Sequence, residues 1–198
     1  WASMEAAGSF AMPWKDLRFT LDGLLGHFDD GSEDVTGSSE SFGHSSGTFG
    51  SLAGNLSFAM PWLSRGTTLS VDIQGGSLFG EPPLQARYFI GGRKTVPGYA
   101  FRTQIGDRYW LARTEASVGI LPPFLNLRAF GAAGRAWGGD LIFDLLSTSV
   151  KDPPVLLSAG LGVGLGWDVI RLDLARGLRD DGEWQVILSV RPDFWPFL

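Results

Sequence analysis

The protein has 198 residues, a formal net charge of −5 and no cysteine. The acidic balance, without any basic run, argues against nucleic acid as the main partner, and the lack of cysteine excludes a disulfide framework and a Cys-ligated zinc site. The longest stretch without Asp, Glu, Lys or Arg, residues 41–64, is rich in Ser and Gly and does not predict a transmembrane helix.

Apolar and polar residues alternate with a period of two along most of the chain, which predicts β-strands. The clearest case is residues 155–167, where Val, Leu and Ala alternate mostly with Ser and Gly. These runs are longer than the roughly 5–6 residues of strands in soluble proteins and suit tilted strands that cross a bilayer. The predicted strands are, in chain order, 1–12, 15–28, 46–60, 63–76, 109–120, 124–137, 155–167, 170–178 and 183–195.

The connections between the predicted strands are of two kinds, tight turns and long polar loops. The tight turns are 13–14, 61–62, 121–123 and 168–169, and the long loops are 29–45, 77–108 and 138–154. Short turns on one side and long loops on the other are typical of outer-membrane β-barrels. The sequence therefore predicts one all-β domain over residues 1–198. Its fold would be a transmembrane antiparallel β-barrel in the bacterial outer membrane, with about eight strands per chain.

The odd number of predicted strands leaves the closure of this barrel open, because bacterial barrels have an even count. In one arrangement, residues 1–12 form only part of a strand and eight strands close the barrel. In a second, the chain belongs to a longer barrel. In a third, two copies pair their open edges into one dimeric barrel, since an unpaired strand edge is not viable in lipid.

The tryptophans provide an independent test of a membrane-spanning sheet. Outer-membrane barrels place aromatic residues at both bilayer interfaces, whereas a soluble β-sandwich buries them in mid-strand. All eight tryptophans fall near the ends of predicted strands. The predicted aromatic girdle consists, at the periplasmic ends, of Trp14, Trp62, Trp167 and Trp195, and at the opposite ends of Trp1, Trp110, Trp137 and Trp184.

The long loop 77–108 carries a motif that points to a family. The sequence of residues 88–99 is Tyr-Phe-Ile-Gly-Gly-Arg-Lys-Thr-Val-Pro-Gly-Tyr, and five predicted strands follow it. A Gly-Gly pair followed by a Gly-Tyr pair at this position resembles the loop of the BamA/TamA and bacterial surface antigen superfamily of outer-membrane β-barrels. The residues that carry this resemblance are Gly91, Gly92, Arg93, Val96, Pro97, Gly98 and Tyr99.

The motif departs from this family at one ion pair. Pro97 replaces the family's loop arginine, and Ala132 occupies the position that matches its acidic partner. Removing one partner alone would strand a charge, at a cost of about 3–5 kcal/mol if it were buried, so the loss of both together is coherent. The resemblance still implies that the loop folds into the lumen, and we expect Arg93 or Arg102 to hold it there through Glu115.

Charged residues on the predicted strands project to one face, which would be the lumen of the barrel. In a narrow barrel such residues neutralise one another as a plug. The alternative is a role in conducting or gating a substrate. The predicted lumen charges are Arg113, Glu115, Arg128, Arg171 and Asp173, and Arg18, Asp22, Asp72 and Arg191 share their face.

The resemblance implies that the protein assists the insertion or translocation of polypeptides. The expected partners are outer-membrane lipid, lipopolysaccharide and client polypeptides, and a homodimer or larger complex is a further expectation. The alternatives are a non-catalytic anchor or assembly partner in an outer-membrane complex, and a passive pore. We expect no enzyme activity, cofactor or metal, because the chain has only two histidines, His27 and His44. The acidic run 29–34 offers oxygen ligands for calcium but lacks the spacing of an EF-hand, so a solvated loop is expected there.

Overall fold

A computed structural model describes residues 2–12, 15–29, 46–61, 66–122, 124–138, 153–166 and 168–190. All strands except β5 and β6 join one antiparallel sheet in the order β1-β2-β3-β4-β7-β8-β9-β10-β11. The all-β antiparallel architecture predicted from the alternating pattern is confirmed. The strands are β1 (Ala2–Met12), β2 (Lys15–Asp29), β3 (Ser46–Pro61), β4 (Thr67–Gly80), β5 (Tyr88–Ile90), β6 (Gln104–Gly106), β7 (Arg108–Leu121), β8 (Leu125–Trp137), β9 (Leu156–Leu165), β10 (Ile170–Gly177) and β11 (Trp184–Val190).

The outward face of the sheet exposes large apolar side chains. Val186 is 69% exposed and Leu161 is 66% exposed, although both lie within strands. A soluble sheet buries such residues, whereas a barrel in a membrane presents them to lipid, so this band has the chemistry of a lipid-facing surface. Further exposed members of the band are Phe19, Leu56, Ile73, Leu127, Leu172 and Leu188.

The inward face carries the polar residues and the buried core. Residues that lie directly opposite each other across the sheet form rows, and one row contains Arg18, Ser57, Asp72, Arg113, Ala132 and Ser158. The buried apolar cluster combines residues of this face with residues of the loop between β4 and β7. The core therefore lies between that loop and the sheet.

The strands β1 and β11 form the two edges of the sheet in the described part of the chain. β1 pairs with β2 along its whole length, from Ala2 opposite Leu25 to Met12 opposite Lys15. The arrangement in which residues 1–12 form only part of a strand is therefore wrong. The described sheet is open, and β1 and β11 are not neighbours in it.

The loop between β4 and β7 is shorter than predicted, because both flanking strands extend into it. β4 continues to Gly80, which lies opposite Phe49 of β3, and β7 begins at Arg108. The loop thus comprises residues 81–107 and contains a 3₁₀ turn (Leu84–Ala86) and the β5–β6 hairpin. Most of the other two long loops, residues 30–45 and 139–152, lies outside the described residues. Within the part of the chain that is described, no helix is long and apolar enough to cross a membrane.

Candidate functional site

The loop 81–107 lies on the inward face and buries its motif there. Val96 is fully buried, and Tyr99 is 4% exposed. Gly134 of β8 admits this packing, because a Cβ atom there would come within 3.3 Å of the Val96 Cγ2 atom. The loop and the sheet thus share one core, formed by Ile90, Val96, Tyr99, Leu111, Ala132, Ala136 and Leu156.

The first half of the motif is a tight turn that displays two cations. Gly91 and Gly92 have φ angles of 118° and 91°, a region that glycine adopts without steric cost. The Gly91 N–H donates to Thr95 Oγ1 at 2.8 Å, and the Thr95 N–H donates to the Gly92 carbonyl at 3.0 Å. The turn therefore presents Arg93 and Lys94 at its exposed tip.

The second half of the motif fixes the loop to the last three strands. The Gly98 N–H donates to Gln185 Oε1 at 3.0 Å, and the Gly98 carbonyl accepts from the Glu183 N–H at 2.8 Å. The Tyr99 hydroxyl donates to the Leu157 carbonyl at 2.9 Å and accepts from the Arg179 N–H at 3.1 Å. We call these four hydrogen bonds the loop anchor. They connect one short segment of the loop to β9, β11 and the turn between β10 and β11.

The position of Gly98 explains why glycine is required there. Its φ angle is 85°, and a Cβ atom would lie 2.7 Å from the Arg176 carbonyl carbon and 3.0 Å from the Glu183 carbonyl oxygen. Gly177 lies against the same point, because a Cβ on Gly177 would meet the Gly98 carbonyl oxygen at 2.7 Å. The loop and the last hairpin therefore approach each other backbone to backbone.

The β5–β6 hairpin forms a second attachment, which the sequence analysis missed. Gln104 is buried, its Oε1 accepts from the Ala136 N–H at 3.0 Å, and its Nε2 donates to the Pro154 carbonyl at 2.6 Å. The Tyr88 ring packs at 4.4 Å between centroids against Tyr109. Burial, and to a lesser extent Tyr109, raises the pKa of the Tyr88 hydroxyl, so this contact stays uncharged beyond the ordinary tyrosine range. The sequence around Gln104, Arg102-Thr103-Gln104-Ile105, gives no signal of this attachment.

Three of the predicted lumen charges form one network on the inward face. Arg128 of β8 pairs with Glu115 at 3.1 Å and with Asp173 at 3.2 Å. Asp173 lies two strands away, and Gly162 of β9 is directly between it and Arg128 in the register. A Cβ atom on Gly162 would collide with the Asp173 carboxylate, so the glycine opens the path for the ion pair.

The other two predicted lumen charges have different partners. The Arg113 Nε donates to the Thr95 carbonyl of the loop at 3.3 Å, and Arg113 lies opposite Asp72 in the register. Arg171 pairs with Asp168 at 3.2 Å. Arg113 therefore links the sheet to the tip of the loop. Arg191, on the same predicted face, lies outside the described residues.

The contacts that hold the loop differ from those expected at the missing ion pair. Pro97 and Ala132 line the same cavity, so the two departures from the family motif lie on one site. Glu115 pairs with Arg128 and not with a loop arginine. Arg102 is exposed, has a φ angle of 62° and lies over the rings of Phe89 and Phe101. The expected role of Arg93 or Arg102 with Glu115 is therefore wrong, because Arg128 of the neighbouring strand β8 pairs with Glu115 instead.

Three of the predicted girdle tryptophans are described, and they lie at one end of the sheet. Trp137 ends β8 opposite Arg108, Trp110 is the third residue of β7, and Trp184 begins β11. All three occupy strand positions on the outward face of the sheet, the face that carries the apolar band. The other five, Trp1, Trp14, Trp62, Trp167 and Trp195, lie outside the described residues.

Comparison with solved structures defines the class of fold. CdiB from Acinetobacter baumannii, an Omp85/TpsB-family transporter, matches with a TM-score of 0.63 and 17% sequence identity. The match covers 95% of this chain and 32% of CdiB, so the chain spans about a third of the length of that protein. At 17% identity the similarity shows a shared β-barrel type of sheet and does not single out the BamA/TamA family. No protein-family model matches the chain, and no curated protein matches it in sequence.

Proposed function

We propose that the protein is an outer-membrane, translocator-like barrel that assists the insertion or translocation of polypeptides. The observation that carries this proposal is the loop anchor, which holds a loop across the charged inward face of an Omp85-like sheet. The similarity to CdiB, an outer-membrane transporter, supports the location and the general function. Client polypeptides and lipopolysaccharide are the proposed partners.

The outward face supports a membrane location on physical grounds. A continuous band of half-exposed leucine, valine and phenylalanine would be costly in water and is stable against lipid. The two open edges of the described sheet would leave backbone groups unpaired in the bilayer, which costs several kcal/mol per group in a hydrocarbon environment. We therefore propose that further strands, or those of a second copy, pair with β1 and β11.

In this proposed function, the loop 81–107 is the part of the barrel that moves. It occupies the inward face, so a polypeptide can use that space only when the loop is displaced. The loop anchor is made of hydrogen bonds, each worth about 0.5–1.5 kcal/mol net, so displacement needs no covalent step. We propose that the protein lowers an insertion barrier in this way, without an enzyme-like reaction.

A second candidate function is a structural anchor or assembly partner in an outer-membrane complex. It is favoured by Pro97 and Ala132, which remove the ion pair that the family motif places between loop and barrel. A loop held by the fixed backbone contacts of Gly98 would suit a static plug. The two candidates differ in whether the loop moves during function.

A reconstitution experiment separates the candidates. The protein is placed in liposomes with an unfolded outer-membrane barrel as client, and client folding is followed by heat-modifiable migration on gels. A translocator-like barrel speeds client folding over empty liposomes, and Tyr99→Phe, which weakens the loop anchor, changes that rate more than the control Tyr88→Phe. If folding is not accelerated, the proposed function is wrong. A steady conductance in planar bilayers without client would instead indicate a passive pore.

A further inference from the structure

A cavity of about 450 Å³ lies between the loop tip and the inward face of the sheet. This volume is within the roughly 300–1,000 Å³ typical of small-molecule sites. The charged residues that line it are five cations, Arg93, Lys94, Arg113, Arg128 and Arg171, and three acids, Asp72, Glu115 and Asp173. Five positive and three negative groups line the cavity, and Asp168, which pairs with Arg171 from outside the lining, brings the formal charge of these groups to 5 − 4 = +1.

The acidic groups of the cavity are already engaged by the protein. Glu115 and Asp173 both pair with Arg128. The Asp72 carboxylate accepts hydrogen bonds from Ser57 Oγ at 2.7 Å and from Gln74 Nε2 at 2.8 Å. Arg113 lies opposite Asp72 and Arg171 pairs with Asp168, so the positive charge that no carboxylate balances lies on the loop tip, at Arg93 and Lys94.

Several donors of the cavity residues remain unused. The Arg128 Nη1 and the Arg171 Nε are buried and have no hydrogen-bond partner in the described part of the chain. Arg93 and Lys94 form no ion pair with any described residue, and they face these arginines from the loop side of the same cavity. Asp173 Oδ1, an acceptor of the same cavity, also lacks a hydrogen bond, but it lies 3.2 Å from Arg128 Nε. Buried polar groups are nearly always hydrogen-bonded, so the donors on Arg128 Nη1 and Arg171 Nε indicate a further acceptor. Water would satisfy the donors but would leave the charge surplus uncompensated.

We propose that this cavity binds an oxyanion of the phosphate type, either inorganic phosphate or the phosphate of a larger ligand. Guanidinium groups match phosphate oxygens in geometry and charge, and lysine adds a point charge. The anion would lie between Arg128 and Arg171 on the strands and Lys94 on the loop. It would therefore connect the loop tip to the sheet, in addition to the loop anchor. This proposal does not depend on the function proposed above.

The test is a calorimetric titration of the whole chain, refolded in amine-oxide detergent micelles, with inorganic phosphate. We expect saturable binding that Lys94→Gln and Arg93→Gln each weaken about tenfold, equivalent to about 1.4 kcal/mol. The matched control is Arg102→Gln, which removes an exposed cation from the same loop outside this cavity. That control is expected to leave the affinity unchanged. Both loop positions are exposed, so their substitution does not disturb folding.

Two results would overturn the proposal. One is the absence of saturable phosphate binding to the folded protein. The other is an equal weakening by Arg102→Gln, since that would indicate general attraction of anions to a cationic surface. A second arm adds phosphatidylglycerol to the micelles. Competition with inorganic phosphate would assign the site to a lipid phosphate, and its absence would assign it to a phosphate dissolved in water.

Discussion

The carbonyl oxygen of Gly98 accepts a hydrogen bond from the backbone N–H of Glu183 at 2.8 Å. This bond joins the loop between β4 and β7 to the turn before the last strand, β11. Both groups belong to the main chain, so truncation of the Glu183 side chain leaves the bond available. Only a change in the approach of the two backbones removes it, and the absence of a side chain at Gly98 permits that approach.

Substitution of Gly98 by alanine is predicted to detach the loop. The new Cβ atom would meet the backbone of Arg176 and Glu183, and the φ angle of 85° disfavours any L side chain. We expect a loss of about 1–3 kcal/mol in the free energy of unfolding from the backbone conformation alone, and more from the collision. Urea unfolding in micelles measures the loss, and faster trypsin cleavage after Arg93 and Lys94 reports loop release.

The matched control for Gly98→Ala is Gly66→Ala. Gly66 also has a positive φ angle, 91°, but a Cβ atom there meets nothing within 4 Å. Gly66→Ala should therefore show the backbone cost without the collision and without added cleavage of the loop. Equal losses in the two variants would contradict the close packing of Gly98 against the last hairpin.

Removal of the Tyr99 hydroxyl is predicted to loosen the turn between β10 and β11. Tyr99→Phe leaves the Arg179 N–H without this partner, whereas the Leu157 carbonyl still accepts from the Leu178 N–H at 2.8 Å. We therefore expect a loss of about 0.5–1.5 kcal/mol in the free energy of unfolding. Amide hydrogen exchange at Arg179 should become faster. Tyr88→Phe serves as control, because it removes a hydroxyl from the same loop outside the loop anchor. Unchanged exchange at Arg179 would refute the prediction.

The pair Arg128 and Asp173 is predicted to be strongly coupled. Arg128→Ala leaves the nearly buried Asp173 carboxylate without its positive partner, so we expect a loss of about 3–5 kcal/mol in the free energy of unfolding. Adding Asp173→Asn to the Arg128→Ala variant removes the unpaired negative charge and should recover a large part of that loss. A double-mutant cycle by urea unfolding measures the coupling. Additive effects of the two substitutions would show that the ion pair contributes nothing.

Alanine at Gly162 is predicted to break the same ion pair from the strand between its partners. The Cβ atom would displace the Asp173 carboxylate and press on the Arg128 side chain. Gly131→Ala is the control, since its Cβ would make only ordinary contacts of 3.6 Å. Thermal unfolding should show a lower midpoint for Gly162→Ala only. A midpoint lowered equally by both substitutions would indicate a general cost of alanine in these strands.

The alternating pattern was sufficient to predict the strands but not all of their ends. The sequence predicts a strand over residues 63–76, and Gly75, Gly76 and Ser77 lie at its end. The strand continues to Gly80 since β3 supplies backbone partners there, and such pairing has no local signal. The strand ends that depend on pairing with a neighbouring strand are therefore the feature of this fold that is hardest to predict from the sequence alone.

Side chains alternate between the two faces of a strand, so the sequence predicts the face on which each lumen charge lies. It does not predict the residue with which that charge pairs. The sequence predicts that Glu115 meets a loop arginine, but Glu115 pairs with Arg128 of β8 at 3.1 Å. Arg128 of β8 and Asp173 of β10 contact each other across β9, which lies between them. This contact depends on Gly162 of β9, which has no side chain to block it. The partners of Gln104 and Tyr99 were missed for a similar reason, since they are backbone groups far along the chain.

These long separations impose an order on the formation of the protein. Gly98 and Gln185 are 87 residues apart, Tyr99 and Arg179 are 80 apart, and Tyr99 and Leu157 are 58 apart. Contacts between distant residues form late, because the chain entropy lost in closing such intervals is repaid only after the intervening strands have paired. Docking of the loop is therefore expected to mark the end of folding, and a docked loop identifies a molecule whose last hairpin is already in place.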